Sequence, residues 1–352
     1  MSRGKILTPA SINQLVKEAR YDVRGEIYLA AVKRTQEGKE VIYTNVGNPH
    51  ALGQKPLTFG RQVMALLMAP FLMEHPNVNS MFPPDAIARA KLYLQHIKGG
   101  MGAYTDSKGN PYIRQEIADF ISKQSGSPSS SDNIFISNGA SEVARMLLHA
   151  TIRGPNDGIM VPIPQYPLYS ASIALYGGQL VPYYLDEENG WALDMGEMRR
   201  SLEAARAKGI CVRALVFINP GNPTGQCLTE QNLKDLIDFC YQSKLVLMAD
   251  EVYQENIYNS KNPFISARKV LNRMAEPIRS GLEIASFHTV SKGAYGECGM
   301  RGGYMLVLGQ YLTQNDPIVI LLTHHLPPPP PSLPLPLPPP PDLPISTFLI
   351  IQ

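Results

Sequence analysis

The sequence predicts an α/β domain in which helices cover a mainly parallel sheet. Short apolar runs alternate with amphipathic segments along most of the chain, a pattern typical of β–α–β units with right-handed crossovers. A length of 352 residues is enough for one large domain and part of a second. The runs that we assign to strands are 134–136, 158–163, 179–184, 214–218, 245–249, 283–287 and 303–308.

Two segments between these strands show the helical period clearly. One runs from Thr229, a favoured N-cap residue, to Cys240, and the other runs from Asp194 to Lys208. The apolar side chains that share a face are Leu233, Leu236, Ile237 and Cys240 in the first, and Met198, Leu202 and Ala205 in the second.

Composition excludes several classes of protein. The net charge is +2, and the chain has no block of five lysines or arginines, so we expect no nucleic-acid partner. It has no apolar stretch of about 18 residues, so we expect no membrane span. The four cysteines lack paired spacing, and the start lacks the apolar core of a signal peptide. We therefore expect a cytoplasmic protein, with a peroxisomal or a mitochondrial location as the alternatives. His324 and His325 have no partner cluster, so no metal site is predicted.

One lysine is a candidate nucleophile. Lys292 lies in Ser286–Gly293, among small residues and directly after an apolar run. Burial of an amine favours its neutral form, which can form a Schiff base with an aldehyde cofactor. By itself a Ser-Lys-Gly triplet is more often part of a solvated loop, so the assignment depends on the other segments.

Three other segments fit the same cofactor. Ile134–Ser141 predicts a strand, a glycine turn and a helix whose N-terminus can bind phosphate, although many such turns bind nothing. Asn219–Gly225 contains two Asn-Pro steps, which predict either a rigid turn at a site or an ordinary loop. Ala249–Tyr253 follows a strand and places the Asp250 carboxylate at the ligand-binding edge of the sheet, unless Asp250 is a helix N-cap.

Taken together, these segments resemble the fold-type I pyridoxal-phosphate enzymes, and within them the alanine aminotransferases. The resemblance covers roughly residues 15–308, with the motifs in family order at family spacing. Glutamate–glyoxylate aminotransferases belong to the same group, and the motifs do not separate the two. Further segments that carry the resemblance are 21–26, Asn45–Pro56, Gly102–Gly109, Pro162–Ser170 and Gly299–Tyr304.

The resemblance implies pyridoxal 5'-phosphate as cofactor and assigns roles around its ring. Lys292 would carry the cofactor as a Schiff base and, once released, move the proton between the substrate Cα and the cofactor. Asp250 would pair with the pyridine nitrogen. Asn222 and Tyr253 would hydrogen-bond the phenolic oxygen, and Tyr166 would stack on the ring, although core packing alone would also explain a tyrosine there.

The resemblance also implies phosphate and substrate contacts. Tyr104 would reach the phosphate of a neighbouring subunit in a homodimer, unless it is simply a tyrosine of a turn. Gly47 and Asn48 would belong to the segment that closes over the substrate. The residues that would hold the phosphate within one chain are Ala140, Ser141, Thr289, Ser291 and Arg301.

The resemblance divides the chain into three parts. Residues 1–60 would form an arm and a substrate-side segment, and residues 61–308 the large cofactor domain, with seven strands of which the last is antiparallel. The tail, 309–352, is proline-rich and departs from the family, and we expect it to be polyproline II or disordered. We expect the family's C-terminal small domain, with the arginine that grips the substrate carboxylate, to be missing, since no arginine or lysine follows Arg301.

Two functions remain open from the sequence. One is transfer of an amino group between L-alanine and 2-oxoglutarate or glyoxylate by a ping-pong mechanism. The other is a non-catalytic remnant that binds the cofactor or serves as a dimerisation scaffold. Without the carboxylate-binding arginine, we expect the 352-residue chain itself to turn alanine over poorly.

Overall fold

A computed structural model of the chain describes residues 6–21, 25–43, 47 and 49–309. The predictions for Asn48, for His324 and His325 and for the proline-rich tail beyond Gly309 lie outside these residues.

The described residues form one seven-stranded sheet, with the strand order β1-β7-β6-β5-β4-β2-β3. Strands β2, β3, β4, β5 and β6 pair with one another in parallel. Strand β7 is antiparallel to both of its neighbours, β1 and β6. The predicted α/β fold is therefore confirmed. The strands are β1 (Ile134–Ser137), β2 (Asp157–Ile163), β3 (Gln179–Tyr184), β4 (Cys211–Ile218), β5 (Val246–Asp250), β6 (Ile284–Thr289) and β7 (Gly303–Leu308).

Helices connect the strands and precede the sheet. Strand β4 begins three residues earlier than predicted, because Cys211 and Val212 pair with Asp157 and Gly158 of β2. The helices are α1 (Gln14–Glu18), α2 (Glu26–Gln36), α3 (Thr58–Met68), α4 (Val78–Met81), α5 (Pro84–His96), α6 (Pro111–Ser125), α7 (Ala140–Thr151), α8 (Leu168–Leu175), α9 (Met195–Ala207), α10 (Glu230–Ser243), α11 (Ala267–Leu271) and α12 (Ile278–Gly281).

The two helices predicted from their period are α9 and α10. Asp194 caps α9 by accepting a hydrogen bond from the Gly196 N–H. Thr229 caps α10, where its hydroxyl and the Asn232 side chain each accept from the other's backbone N–H. Such reciprocal caps satisfy donors that the first turn of a helix leaves free.

The core lies on both faces of the sheet. Side chains alternate along each strand, so Leu247 packs beneath α9, α10 and α11 while the adjacent Met248 packs beneath α7 and α8. Both side chains are fully buried. Burying one such side chain contributes about 1.5–3 kcal/mol, and this burial holds the sheet rigid. None of the described helices is long and apolar enough to cross a membrane.

The sheet topology determines where a site can form. Parallel strands present their C-terminal ends at one edge, where the following loops meet. Strands β4, β5 and β6 are neighbours and end at Ile218, Asp250 and Thr289. The loops that follow them lie beside the start of α7, which the β1–α7 turn brings to the same edge.

Candidate active site

A pocket of about 370 Å³ lies at this edge of the sheet. Most of the residues that the sequence assigned to the site line it together, although they come from seven separate segments. Those in its wall are Gly47, Ala140, Ser141, Tyr166, Asn222, Asp250, Tyr253, Thr289, Ser291, Lys292 and Arg301.

Lys292 lies over the ring of a tyrosine within this pocket. It follows β6 after a short turn and is half-buried. Its Nζ is 5.2 Å from the centroid of the Tyr253 ring, and the Tyr253 hydroxyl accepts a hydrogen bond of 3.3 Å from Asn222 Nδ2. An amine, a phenol and an amide from three different loops therefore meet at one place. An ordinary solvated Ser-Lys-Gly loop would not need such contacts, so the geometry favours a binding site.

Asp250 forms the buried end of the pocket. Asp250 as a whole is 6% exposed, and its carboxylate accepts a hydrogen bond of 2.6 Å from the Tyr169 hydroxyl. Burial raises the pKa of Asp250, and the Tyr169 hydrogen bond and the charge of Lys292 partly oppose that rise. The helix N-cap alternative is wrong, because residues 252–255 form a turn.

Arg301 and the start of α7 form a positively charged end. Arg301 adopts a left-handed backbone conformation with φ of 53°. Its Nη2 donates to the Asn138 carbonyl at 3.1 Å, and its Nη1 donates to the Cys298 carbonyl at 2.8 Å and to Ser291 Oγ at 3.4 Å. The guanidinium is thus fixed beside a helix N-terminus, and both features attract an anion.

Two glycines permit this close approach. A Cβ on Gly139 would lie 2.5 Å from Arg301 Nη2, and a Cβ on Gly303 would lie 2.6 Å from the Ala140 nitrogen. Gly139 also has φ of 99°, a conformation that side chains disfavour. Any other residue at either position would push the arginine or β7 away from the first turn of α7.

Sequence reasoning missed two tyrosines that line the pocket. Tyr169, fully buried, supplies the hydrogen bond to Asp250. Tyr21 contacts Tyr166 edge-on, with ring centroids 6.1 Å apart and planes at 77°, and the two hydroxyls share a hydrogen bond. Both tyrosines lie in segments that carry the family resemblance, but their side-chain contacts depend on the tertiary fold.

Tyr104 does not line the pocket of its own chain. Its side chain is fully exposed, on the loop between α5 and α6. Its predicted contact is with a neighbouring subunit, so that assignment stays a prediction. Gly47 lies at the pocket wall, and its role with substrate also stays a prediction.

The polar groups of the pocket suit a flat, dipolar ligand. One end offers backbone N–H groups, hydroxyls and a guanidinium, and the other end offers a buried carboxylate. Tyr166 adds an aromatic ring to the pocket wall. These features fit a planar ring with an anionic group at one end and a protonated nitrogen at the other. Among the described residues, no group of three or more His, Cys, Asp or Glu side chains could hold a metal ion.

Comparison with known proteins identifies similar chains. The family "Aminotransferase class I and II" matches residues 75–318. Glutamate–glyoxylate aminotransferase 1 of Arabidopsis thaliana is 58% identical over 85% of this chain and 62% of its own length. Alanine aminotransferase 2 of Panicum miliaceum is 50% identical over 85% of this chain and 64% of its own length. The chain thus spans less than two thirds of these curated relatives.

Solved structures show the same fold at low sequence identity. An aminotransferase from Escherichia coli superposes with a TM-score of 0.68 at 23% identity, covering 90% of this chain and 67% of that one. The alanine aminotransferase from Pyrococcus furiosus gives a TM-score of 0.67 at 22% identity, covering 89% and 67%.

Proposed function

The chain belongs to the class I and II aminotransferases, and we propose that the protein transfers an amino group between L-alanine and 2-oxoglutarate or glyoxylate. The observation that carries the proposal is the meeting of Lys292, Asp250 and Arg301 in one pocket. The substrates follow from the relatives, two of which are named for alanine and for glutamate and glyoxylate.

The family depends on pyridoxal 5'-phosphate, and the pocket residues fit this cofactor. Its phosphate would take the N–H groups of Ala140 and Ser141 and the guanidinium of Arg301, with the hydroxyls of Thr289 and Ser291 beside them. This arrangement requires the close glycine contacts at the start of α7. Arginine suits a phosphate, because its planar fork can donate two parallel hydrogen bonds.

The other end of the pocket would hold the ring. The Asp250 carboxylate would keep a proton on the ring nitrogen, and the hydroxyl of Tyr169 favours the charged form of that carboxylate. Asn222 and Tyr253 would hydrogen-bond the ring hydroxyl, and Tyr166 would cover one face. When bound, the cofactor draws electrons away from the substrate Cα.

The proton transfer is assigned to Lys292. Its Nζ would attach to the cofactor between turnovers and, when released by substrate, would take the proton from Cα and return it. Tyr253 would help to position the Lys292 amine, because Nζ lies over the tyrosine ring, 5.2 Å from its centroid. Lys292 would thus be the single proton carrier, placed between the Tyr253 phenol and the end of the pocket that holds Arg301.

The assembly and the remaining contacts belong to the same proposal. We infer a cytoplasmic homodimer in which the exposed Tyr104 of one subunit reaches the phosphate of the other. Residues 1–60 would serve as arm and substrate-side segment, with Gly47 and Asn48 near the substrate. Residues 61–308 would form the cofactor domain.

Borohydride reduction tests the cofactor assignment. The 352-residue chain is incubated with pyridoxal 5'-phosphate, reduced and digested, and the labelled peptide is sequenced. We expect the label on Lys292, and none on that peptide in Lys292→Arg, which keeps the charge. A label confined to another lysine would refute the assignment.

An amino-donor panel tests the activity. Conversion of the bound cofactor to its amine form is followed by absorbance after addition of alanine, glutamate or lysine, with lysine as the negative control. Conversion by alanine or glutamate supports the aminotransferase. A labelled chain that reacts with no amino acid would favour the non-catalytic, cofactor-binding alternative.

A further inference from the structure

The loop after β5 contains a residue that contacts the backbone of the Lys292 loop. After Tyr253 the chain turns back, with the Asn256 N–H donating to the Tyr253 carbonyl at 2.8 Å. Asn256 is half-buried. Its Oδ1 accepts a hydrogen bond of 2.9 Å from the Gly293 N–H, and that N–H belongs to the peptide that joins Lys292 to Gly293.

The orientation of the Asn256 amide is determined by its neighbours. The Gly293 N–H can only donate, so the amide must present its oxygen there. The Nδ2 then faces the Tyr258 hydroxyl, to which it donates at 3.0 Å. Both ends of the amide are therefore satisfied, and a flipped amide would set two donors against each other at Gly293.

Gly293 packs closely against the same loop. It has φ of 67°, and a Cβ there would lie 2.9 Å from the Cβ of Glu255. The glycine therefore lets the peptide approach the loop closely enough for its N–H to reach Asn256. Further along, Gln54 Nε2 donates to the Ala294 carbonyl at 2.9 Å, so the loop is held from two directions.

We propose that Asn256 is a positioning residue for Lys292. By holding the peptide that follows Lys292, it fixes the backbone from which the side chain extends over Tyr253. The loop that carries Tyr253 thus also sets the position of the lysine above it. The inference rests on the proposed function, because it assumes that Lys292 carries the cofactor.

Three variants of the full chain test this role. Asn256→Ala removes the acceptor, Asn256→Asp retains an acceptor oxygen, and Asn259→Ala is the matched control. The Asn259 amide belongs to the same loop but accepts from Lys261 within that loop. The measured quantity is the rate at which pyridoxal 5'-phosphate becomes attached to Lys292, followed by absorbance and by borohydride trapping.

We expect attachment to slow by about fivefold or more in Asn256→Ala, the factor that one neutral hydrogen bond represents. Asn256→Asp should restore most of the rate, and Asn259→Ala should match the parent. Total cofactor bound, measured by ultrafiltration, should change less, because the phosphate contacts are intact. If the parent is labelled at Lys292 and the cofactor becomes attached to Asn256→Ala at the same rate, the inference is wrong and the proposed function still stands.

Hydrogen exchange supplies a readout that needs no cofactor. The Gly293 N–H should exchange about tenfold faster in Asn256→Ala than in the parent, while amides of β5 keep their rates. Unchanged exchange at Gly293 contradicts the inference. A parent chain that is not labelled at Lys292 instead overturns the proposed function, and with it this role of Asn256.

Discussion

The hydrogen bond between Tyr169 and Asp250 gives the sharpest test of how the pocket stabilises a buried carboxylate. Tyr169→Phe removes only the phenolic oxygen, so Asp250 loses its donor at 2.6 Å. The bond that remains, from the Val252 N–H, is long at 3.4 Å. A hydrogen bond to a charged group contributes about 1.5–3 kcal/mol. We expect the free energy of unfolding to fall by that amount at about pH 8.

Tyr183→Phe is the matched control. Tyr183 is buried to the same degree as Tyr169, but its hydroxyl donates at 2.8 Å to a neutral acceptor, the Val216 carbonyl. Its loss should cost about 1 kcal/mol at every pH between about 4 and 8. The difference between the two variants isolates the effect of the acceptor's charge.

The cost of Tyr169→Phe should depend on pH. Burial raises the pKa of Asp250 above its unfolded value, so this group's contribution to stability is fully present below the unfolded pKa. The contribution is lost as the pH rises through the folded pKa. The Tyr169 hydroxyl favours the carboxylate, and its removal raises the folded pKa further. The variant should therefore lose more stability at about pH 8 than at about pH 4.

Urea unfolding of the cofactor-free chain, followed by circular dichroism at both pH values, measures these costs. Asp250→Asn completes a double-mutant cycle, in which the Tyr169→Phe cost should fall to the neutral level. A cost at about pH 8 below about 0.5 kcal/mol, or one equal at the two pH values, would refute the reasoning.

Three further changes give distinct outcomes. Lys292→Ala should abolish even the low alanine turnover expected of the parent chain, because the attachment point and the proton carrier are both lost. Turnover in Lys292→Ala equal to that of the parent, measured with alanine as donor, would contradict this. Burial raises the pKa of Glu251 to about 7, so the contribution of this group to folding stability is lost as the pH rises through 7. The free energy of unfolding of Glu251→Gln, measured in urea, should therefore exceed that of the parent by up to about 3 kcal/mol at about pH 8. At about pH 5 the two should be nearly equal. Gly303→Ala should weaken phosphate binding, measured by ultrafiltration, and lower the free energy of unfolding by about 1–3 kcal/mol, because its Cβ would meet the Ala140 nitrogen. Gly299→Ala is the control and should change neither quantity, because the space around its Cβ is open.

The sequence alone determined the architecture of the sheet and most of the pocket. The strands appear in the sequence as continuous apolar runs, because both faces of a parallel sheet are buried. Residues 245–249, for example, are all apolar and do not alternate with polar residues. The helix over Thr229–Cys240 was predicted because its cap and its apolar face are local features. Lys292, Asp250 and Asn222 were candidates because each lies at or shortly after the end of a strand, where a parallel sheet places its ligands, and the resemblance to the aminotransferases assigned their roles.

Only the tertiary structure decided which side chains support that pocket. Tyr169 meets Asp250 across 81 residues of sequence and Tyr21 meets Tyr166 across 145, and such contacts depend on packing that no local pattern encodes. The acceptor for the Gly293 N–H, Asn256, lies in another loop for the same reason. Local sequence sets the ends of strands and the caps of helices, whereas hydrogen bonds between loops depend on how the sheet brings those ends together.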